Sequence, residues 1–338
     1  MPDAFVFAGR CVASIIVVGA TSWGALALWF KISERSAVAQ LCVGLWSLAG
    51  LAIVASIWNG HFIVALGAFA LFFSALAFWW FRVAPSNDRL WNDDVANQTT
   101  GTVTDNVLVV RNLRNFNWRS RADFDARWET RQYDLGRLRS LDMILSYWAG
   151  PAIAHTLVSF GFDDEDAGVV DHVVFTVEIR RQHGQLFSEI GGFFKMYELC
   201  IVAADERDAL RVRTNVRGED DYLYRVRMAP EQIRSLLLAY VDAANRLVHA
   251  PRFYNTITAN CTTIIYQMVK RIVGHLPLSP RLLLSGYLPE YVHAIGGLDS
   301  RRPVSELRAL GRFTQRARDA DQSASFSADI RKGIPELA

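Results

Sequence analysis

SAVAQLCVGLWSLAGLAIVASIWNGHFIVALGAFALFFSALAFWWF, running from Ser36 to Phe81, contains no Asp, Glu, Lys or Arg, and its single histidine is His61. A bilayer core of about 30 Å takes about 20 apolar residues of helix at 1.5 Å each. The stretch therefore holds two spans, Ala37–Trp58 and Phe62–Phe81. Only Asn59-Gly60-His61 parts them, a break so short that it forces a tight antiparallel hairpin. Upstream, Cys11–Phe30 is also free of charge and makes a third span, separated by Lys31–Ser36. Trp29-Phe30-Lys31 and Trp79-Trp80-Phe81-Arg82 have the aromatic and basic residues expected where helices leave a bilayer. A buried hairpin in a soluble protein does not call for so long a charge-free run. A cleaved signal peptide would account for the first segment alone. The chain reads as an integral membrane protein with a membrane region over residues 1–83.

The remaining sequence is long enough to bury a core of its own, within a chain of 338 residues that is 51% hydrophobic. A net charge of +2, with no nucleic-acid motif and no repeat, gives no reason to expect a nucleic-acid partner. Residues 84–297 read as one α+β domain and 298–338 as a charged tail with one helix and loose ends. Of the cysteines, Cys11 and Cys42 fall in proposed spans, leaving Cys200 and Cys261 to the domain, with at most one disulfide between them. No CxxC and no Cys/His metal spacing occurs, so neither a metal nor another cofactor is expected. The first loop carries two basic side chains, Lys31 and Arg35, against Arg10 and the terminal amine on the other side, a slight lean of about one basic side chain toward a cytoplasmic domain.

Within the domain, Thr102–Val110 alternates as a strand. Arg111–Arg139 mixes many Arg with Phe116, Trp118, Phe124, Trp128 and Tyr133. That stretch is either a surface layer in which Asp123, Asp125, Glu129 and Asp134 pair with the Arg, or a surface for lipid headgroups. Ala152–Phe162 and His172–Arg181 read as strands joined through Asp163–Asp171. Symmetry about Asp166-Ala167 would set His155 opposite Glu178, and a slip of one residue would part them. Gly191–Ala203 and Ala209–Arg217 read as further strands. Pro230–His249 is an amphipathic helix with Pro in its first turn, and a second helix starts near Cys261.

Asn260-Cys261-Thr262-Thr263 sits at that second helix start. Asn260 is a good N-cap, which places Cys261 at the first helical position. There the helix dipole and unpaired N–H groups favour a thiolate, the nucleophilic form of Cys, and the same N–H groups suit an oxyanion. The plain alternative is a small buried Cys. His155, in an apolar strand, is either a core residue or the partner base, and Glu178 on the next strand is either its orienting acid or an ion-pair partner of Arg180. A strand-borne His facing the start of a Cys helix is the layout of papain-like thiol enzymes. The order His, acid, Cys is that of circularly permuted relatives. Lys195, Arg180 and Arg207 are candidates to bind a phosphate or carbonyl oxygen, or else they pair with Glu198, Asp205, Glu206 and Asp208. Tyr254 and Asn255 shape the loop before the nucleophile, with Asn260 more a cap than a reactant.

Asn115-Phe116-Asn117-Trp118-Arg119-Ser120, Arg127-Trp128-Glu129-Thr130-Arg131, Ser146-Tyr147-Trp148, Ile153-Ala154-His155-Thr156, Glu178-Ile179-Arg180, Tyr197-Glu198-Leu199, Asp205-Glu206-Arg207-Asp208, Tyr254-Asn255-Thr256 and Asn260-Cys261-Thr262-Thr263 follow one another in the chain. In that order they resemble the Lnb N-terminal periplasmic domain family, also called DUF4105, over about Asn87–Val273; Ile330-Arg331-Lys332-Gly333-Ile334-Pro335 is similar to it more weakly. The resemblance implies a permuted papain-like α+β domain of the NlpC/P60 type on the periplasmic face of a bacterial inner membrane, against the slight lean of the loop charges. It also implies a lipoprotein transacylase-like activity, in which Cys261 is the nucleophile and His155 the base, working through a thioester. The expected partner is a membrane lipid or a lipoprotein. A cysteine peptidase or amidase of the cell envelope would use the same pair. A non-enzymatic envelope protein would bury both residues apart.

Overall fold

The computed structural model describes residues 2–32, 36–164 and 169–335. The turn around Asp166-Ala167 and the Arg35 position of the first loop lie outside them, as does Met1 with the terminal amine. The chain divides into two compact units, one of residues 1–86 with 187–196, the other of 87–186 with 197–338.

The first unit is built on three helices, α1 (Pro2–Lys31), α2 (Ala37–Trp58) and α3 (Phe62–Arg82). Each is long and apolar enough to cross a membrane, over Ala4–Lys31, Ala37–Trp58 and Phe62–Arg82. α1 starts earlier than the expected 11–30. Its 28-residue candidate span would measure roughly 42 Å, more than the hydrocarbon needs, so Arg10 extends the helix toward the headgroups. Large apolar side chains such as Leu51, Ile63 and Leu71 point outward, the reverse of a soluble helix. Small residues fill the contacts between helices. A Cβ on Gly50 would meet Thr21 at 2.5 Å, and Ala27 and Ala39 are fully buried. Trp46 Nε1 donates to the Thr21 carbonyl at 2.8 Å. Gly60, at φ 89°, makes the tight turn between α2 and α3 that the short break requires.

The second unit is a sheet with helices on both faces. Its strands are β1 (Thr100–Thr104), β2 (Val107–Arg114), β3 (Asn117–Trp118), β4 (Phe124–Asp125), β5 (Trp128–Asp134), β6 (Leu138–Tyr147), β7 (Ala154–Asp164), β8 (Val169–Arg180), β9 (Glu198–Asp205) and β10 (Asp220–Arg225). Among the described residues eight of them form one sheet in the order β1-β2-β9-β8-β7-β6-β10, with β5 also on β2, and β3 pairs β4 separately. All pairs are antiparallel except β2 with β9. Val158, Phe160, Val173 and Phe175 face α5 (Pro230–His249) and α6 (Cys261–Val273). Leu157, Val174 and Val202 face the other way. This alternation is the period of two that the strands show in sequence.

The fold departs from the sequence expectation in four places. Thr102–Val110 is not one strand: the chain turns at Asp105, at φ 55°, and β1 and β2 pair antiparallel as a hairpin. Ala209–Arg217 is not a strand: α4 (Glu206–Arg211) is followed by a π-helical turn over Val212–Arg217. Asp205 accepts from the Arg207 N–H, and Glu206 and Asp208 stand in the first turn, so the cap and dipole favour a helix. Of Gly191–Ala203 only the part from Glu198 is strand, and residues 187–196 group with the membrane helices. Residues 298–335 are not a loose tail. After α7 (Leu288–Ala294), the helices α8 (Val304–Gly311), α9 (Thr314–Ala320) and α10 (Phe326–Ile330) bury Phe313, Phe326 and Ile330 completely or nearly so on the β8–β9 face.

Candidate active site

The chain approaches α6 through a loop tied to the start of β9. Leu199 N–H donates to the Arg252 carbonyl at 2.8 Å and Tyr254 N–H to the Tyr197 carbonyl at 3.0 Å. Asn255 closes the loop upon itself: its Oδ1 accepts from Ile257 N–H at 3.0 Å and Thr258 N–H at 2.9 Å. Asn260 then caps α6, accepting from Thr262 N–H at 2.9 Å and Thr263 N–H at 2.8 Å, while its Nδ2 holds the Thr256 carbonyl at 2.6 Å. Thr263 Oγ1 returns a bond from the Asn260 N–H at 3.0 Å, completing a capping box. Asn260 is thus a cap. Because it takes the Thr262 and Thr263 amides, the first-turn amide it leaves is that of Cys261.

Cys261 is the first residue of α6, and 9% of it is exposed. The His155 ring and the Thr156 backbone N–H are near enough to the thiol to act on its charge. His155 is the second residue of β7. The β7–β8 pairing runs from Leu157↔Thr176 to Asp164↔Val169, the register that sets His155 against Glu178. His155 Nε2 lies 3.0 Å from Glu178 Oε1 and 2.7 Å from Thr176 Oγ1, which itself donates to Glu178 at 3.1 Å. With the hydroxyl proton directed at the carboxylate, Nε2–H is the donor to both oxygens, and Nδ1 is the nitrogen left for the thiol. Arg213, from the π-helical turn, completes the group by donating to Glu178 Oε1 at 3.1 Å and Glu219 at 3.2 Å.

The electrostatics follow from this packing. Burial opposes every charge here, yet the ionised partners outweigh it. Burial lowers His155, but the carboxylate of Glu178 and the thiol of Cys261 push it up to about 9. Burial raises Glu178, but His155 and Arg213 hold it well below the carboxylate range. Burial raises Cys261, but His155 and the Thr156 N–H hold the thiol below its ordinary value. Each shift favours the charged form of its group: thiol toward thiolate, imidazole toward imidazolium, and Glu178 as the carboxylate. Behind it, Ser146 Oγ donates to Asp221 at 2.5 Å and also bonds Glu219, and burial pushes Asp221 up to about 7.

Other sequence candidates serve elsewhere. Arg180 is buried beside Trp91, donating to the carbonyls of Val95 at 3.0 Å and Ala96 at 2.6 Å, so it supports the chain before β1 rather than a ligand. Lys195 belongs to the helical unit, where Nζ meets the Trp80 carbonyl at 2.7 Å. Arg207 lies half-buried in the first turn of α4. Cys200 and Cys261 are both free thiols. Cys200 is buried, which raises its thiol, and Sγ sits 3.6 Å from the Glu178 carbonyl. Several arginines of 111–139 pair at the surface, Arg119 with Asp123 and Asp125 at 2.6 Å each and Arg131 with Glu129 at 2.9 Å, but Arg114 is buried against Asp208 at 2.9 Å. Among the described residues no group of His, Cys, Asp and Glu is placed to hold a metal ion. Sequence reasoning missed Thr176 and Arg213. Thr176 was accessible, since it shares a strand face with Glu178 two residues on. Arg213 was hidden by the misread strand.

A family comparison places these residues in a known domain: residues 124–286 match the Lnb N-terminal periplasmic domain. The Lnb match takes in His155, Glu178 and Cys261. It leaves Asn115–Ser120 and the Ile330–Pro335 motif outside its bounds. No curated protein and no solved structure matches the chain. An Lnb periplasmic domain joined to three apolar helices makes this a membrane-associated envelope protein with a periplasmic domain.

Proposed function

We propose that the protein is a thiol acyltransferase of the bacterial inner membrane, acting on an ester of a membrane lipid or lipoprotein. The observation that carries this reading is the thiol of Cys261 at a helix N-terminus, within electrostatic reach of an imidazole that is paired with Glu178 at 3.0 Å. A helix-borne Cys against a strand-borne His also supports a permuted papain-like domain.

The Cys261 thiolate attacks the ester carbonyl carbon. A C–S bond forms, and the carbonyl oxygen takes the electron pair within reach of the Cys261 N–H. As the intermediate collapses, the ester C–O bond breaks and His155 gives its Nδ1 proton to the leaving alkoxide. An acyl-thioester and a free alcohol result. An amine then attacks the thioester carbonyl and yields its proton to His155. The C–S bond breaks, the thiolate returns, and the product is an amide. Glu178 stays ionised and holds the ring. Anchoring of the domain supports a membrane ester, because both substrate and thiol are confined to one surface.

The test is intact-mass and peptide mass spectrometry after incubation with inner-membrane lipids and lipoproteins. A fatty acyl adduct, labile to hydroxylamine and carried by the Cys261 peptide, is expected, and it should vanish in Cys261→Ala and fall strongly in His155→Ala. A peptidyl adduct would replace the reading with a cysteine peptidase or amidase. Unchanged acylation in both variants would overturn it.

A further inference from the structure

The connection between β8 and β9 leaves the sheet and joins the unit of membrane helices, over residues 187–196. It carries three large apolar side chains spaced three residues apart, Phe187, Ile190 and Phe193, exposed by 54%, 54% and 42%. Exposed apolar groups clustered so closely are costly in water and mark a surface that something covers. The backbone behind them is firmly seated. Phe194 is buried among rings of α1 and α3, 5.8 Å from Phe30, 6.3 Å from Trp80 and 6.5 Å from Trp23. Lys195 Nζ donates to the Trp80 carbonyl at 2.7 Å, and Lys31 Nζ donates to the Lys195 carbonyl at 2.9 Å. Lys195 itself, at φ 53°, turns the chain back. Gly191 permits the fold, since a Cβ there would meet Met196 Sδ at 2.2 Å.

All these anchors lie at the C-terminal ends of α1 and α3, in the aromatic and basic belt where spanning helices leave the bilayer. We propose that residues 187–194 form an interfacial loop that inserts Phe187, Ile190 and Phe193 among phospholipid acyl chains beside the helix ends. Lipid is the occupant because the loop is continuous with surfaces that are already lipid-facing: Phe81 and Phe78, on the last turns of α3, are exposed by 80% and 63%. An apolar side chain in the boundary between headgroups and tails loses its water without needing a protein partner. The loop would thus be a second, non-spanning attachment, contributed by the chain that leads directly from β8, the strand of Glu178, to β9. This inference rests on the helical unit and needs no catalytic chemistry.

The experiment places a single cysteine at Ile190, in the full chain with its native cysteines replaced by alanine. An environment-sensitive NBD label is attached, and the protein is reconstituted in nanodiscs of phosphatidylethanolamine and phosphatidylglycerol. A label at Arg121, on the exposed surface of the other unit, is the control. The expected result is blue-shifted emission at position 190. Including lipid spin-labelled near its carbonyl end should quench it about twofold or more, with little quenching by aqueous iodide. The Arg121 site should respond to iodide alone. Iodide quenching at position 190 without lipid quenching would overturn the proposal. So would protection from both quenchers, which would mean that protein covers the loop. Either result would leave the thioester experiment on Cys261 unaffected.

Discussion

Glu178 concentrates three donors on one oxygen, from His155, Thr176 and Arg213, at 3.0 to 3.1 Å. Its negative charge is the main reason that the imidazolium persists despite burial. The sign of its removal follows. A group raised by a neighbouring anion loses that rise when the anion is neutralised, so Glu178→Gln should bring His155 down from about 9 toward its ordinary 6.5. In the proposed reaction the imidazolium is the acid that protonates the leaving group. Thioester formation should therefore fail above about pH 9 in the parent protein, and its alkaline limb should move down by about one unit or more in the variant. Near pH 8 a fall of about one unit corresponds to a rate loss of about twofold and a fall of about two units to about tenfold, to be read from a full pH profile of acylation. An alkaline limb that stays in place would show that Glu178 does not set the ring's proton affinity. Arg213 works in the opposite sense on His155 while holding Glu178 ionised, so the carboxylate is shared rather than neutralised.

At the scale of elements, legibility in the sequence tracks how local the deciding signal is. α5 and α6 begin where their Pro and Asn signals place them, because amphipathic spacing and a cap are both local. The β7–β8 register was legible because a hairpin folds about its own turn. Arg180 was not, because the carbonyls of Val95 and Ala96 that hold it lie far away in the chain. α4 is only six residues long, too short to display a helical period, and its alternation of Ala209, Arg211 and Arg213 resembles a strand. The end of the chain misled for another reason. Its composition is that of a loose Arg- and Ser-rich tail, but single buried residues decide its fold. Arg331, just after α10, is the clearest case: its guanidinium bonds Asp142 at 2.9 Å and Glu206 at 2.6 Å, both carboxylates lying within the folded unit. Arg331→Ala leaves those carboxylates buried with one cation fewer, an effect of about 3–5 kcal/mol. Thermal unfolding should fall by roughly 10 °C, and Arg331→Lys should restore only part, since an ammonium does not reproduce the two-sided fork. Unchanged melting would mean that α10 is a dispensable appendage after all.

For the whole molecule, the three spans fix a relation between the two ends: an odd number of crossings puts the start of α1 and the Lnb domain on opposite sides of the bilayer. The loop charges lean by about one charge toward a cytoplasmic domain, a bias too slight to outweigh the match of residues 124–286 to a periplasmic domain. The chemistry proposed for Cys261 also depends on the side, because the acyl esters it would meet differ between leaflets. The native thiols make the question easy to ask. Cys200 and Cys261 are buried, and Cys11 and Cys42 stand within spans, so an added surface cysteine should react over a low background. Arg121, exposed on the loop between β3 and β4, is the natural position. In cells whose outer membrane has been permeabilised, Arg121→Cys should be labelled by a membrane-impermeant maleimide without lysis of the inner membrane. A cysteine placed at Ala4, at the other end of the first span, should react only after lysis. The reverse pattern would put the domain in the cytoplasm, and with it the thiol–imidazole pair, and would require that the acyl donor be sought in the inner leaflet.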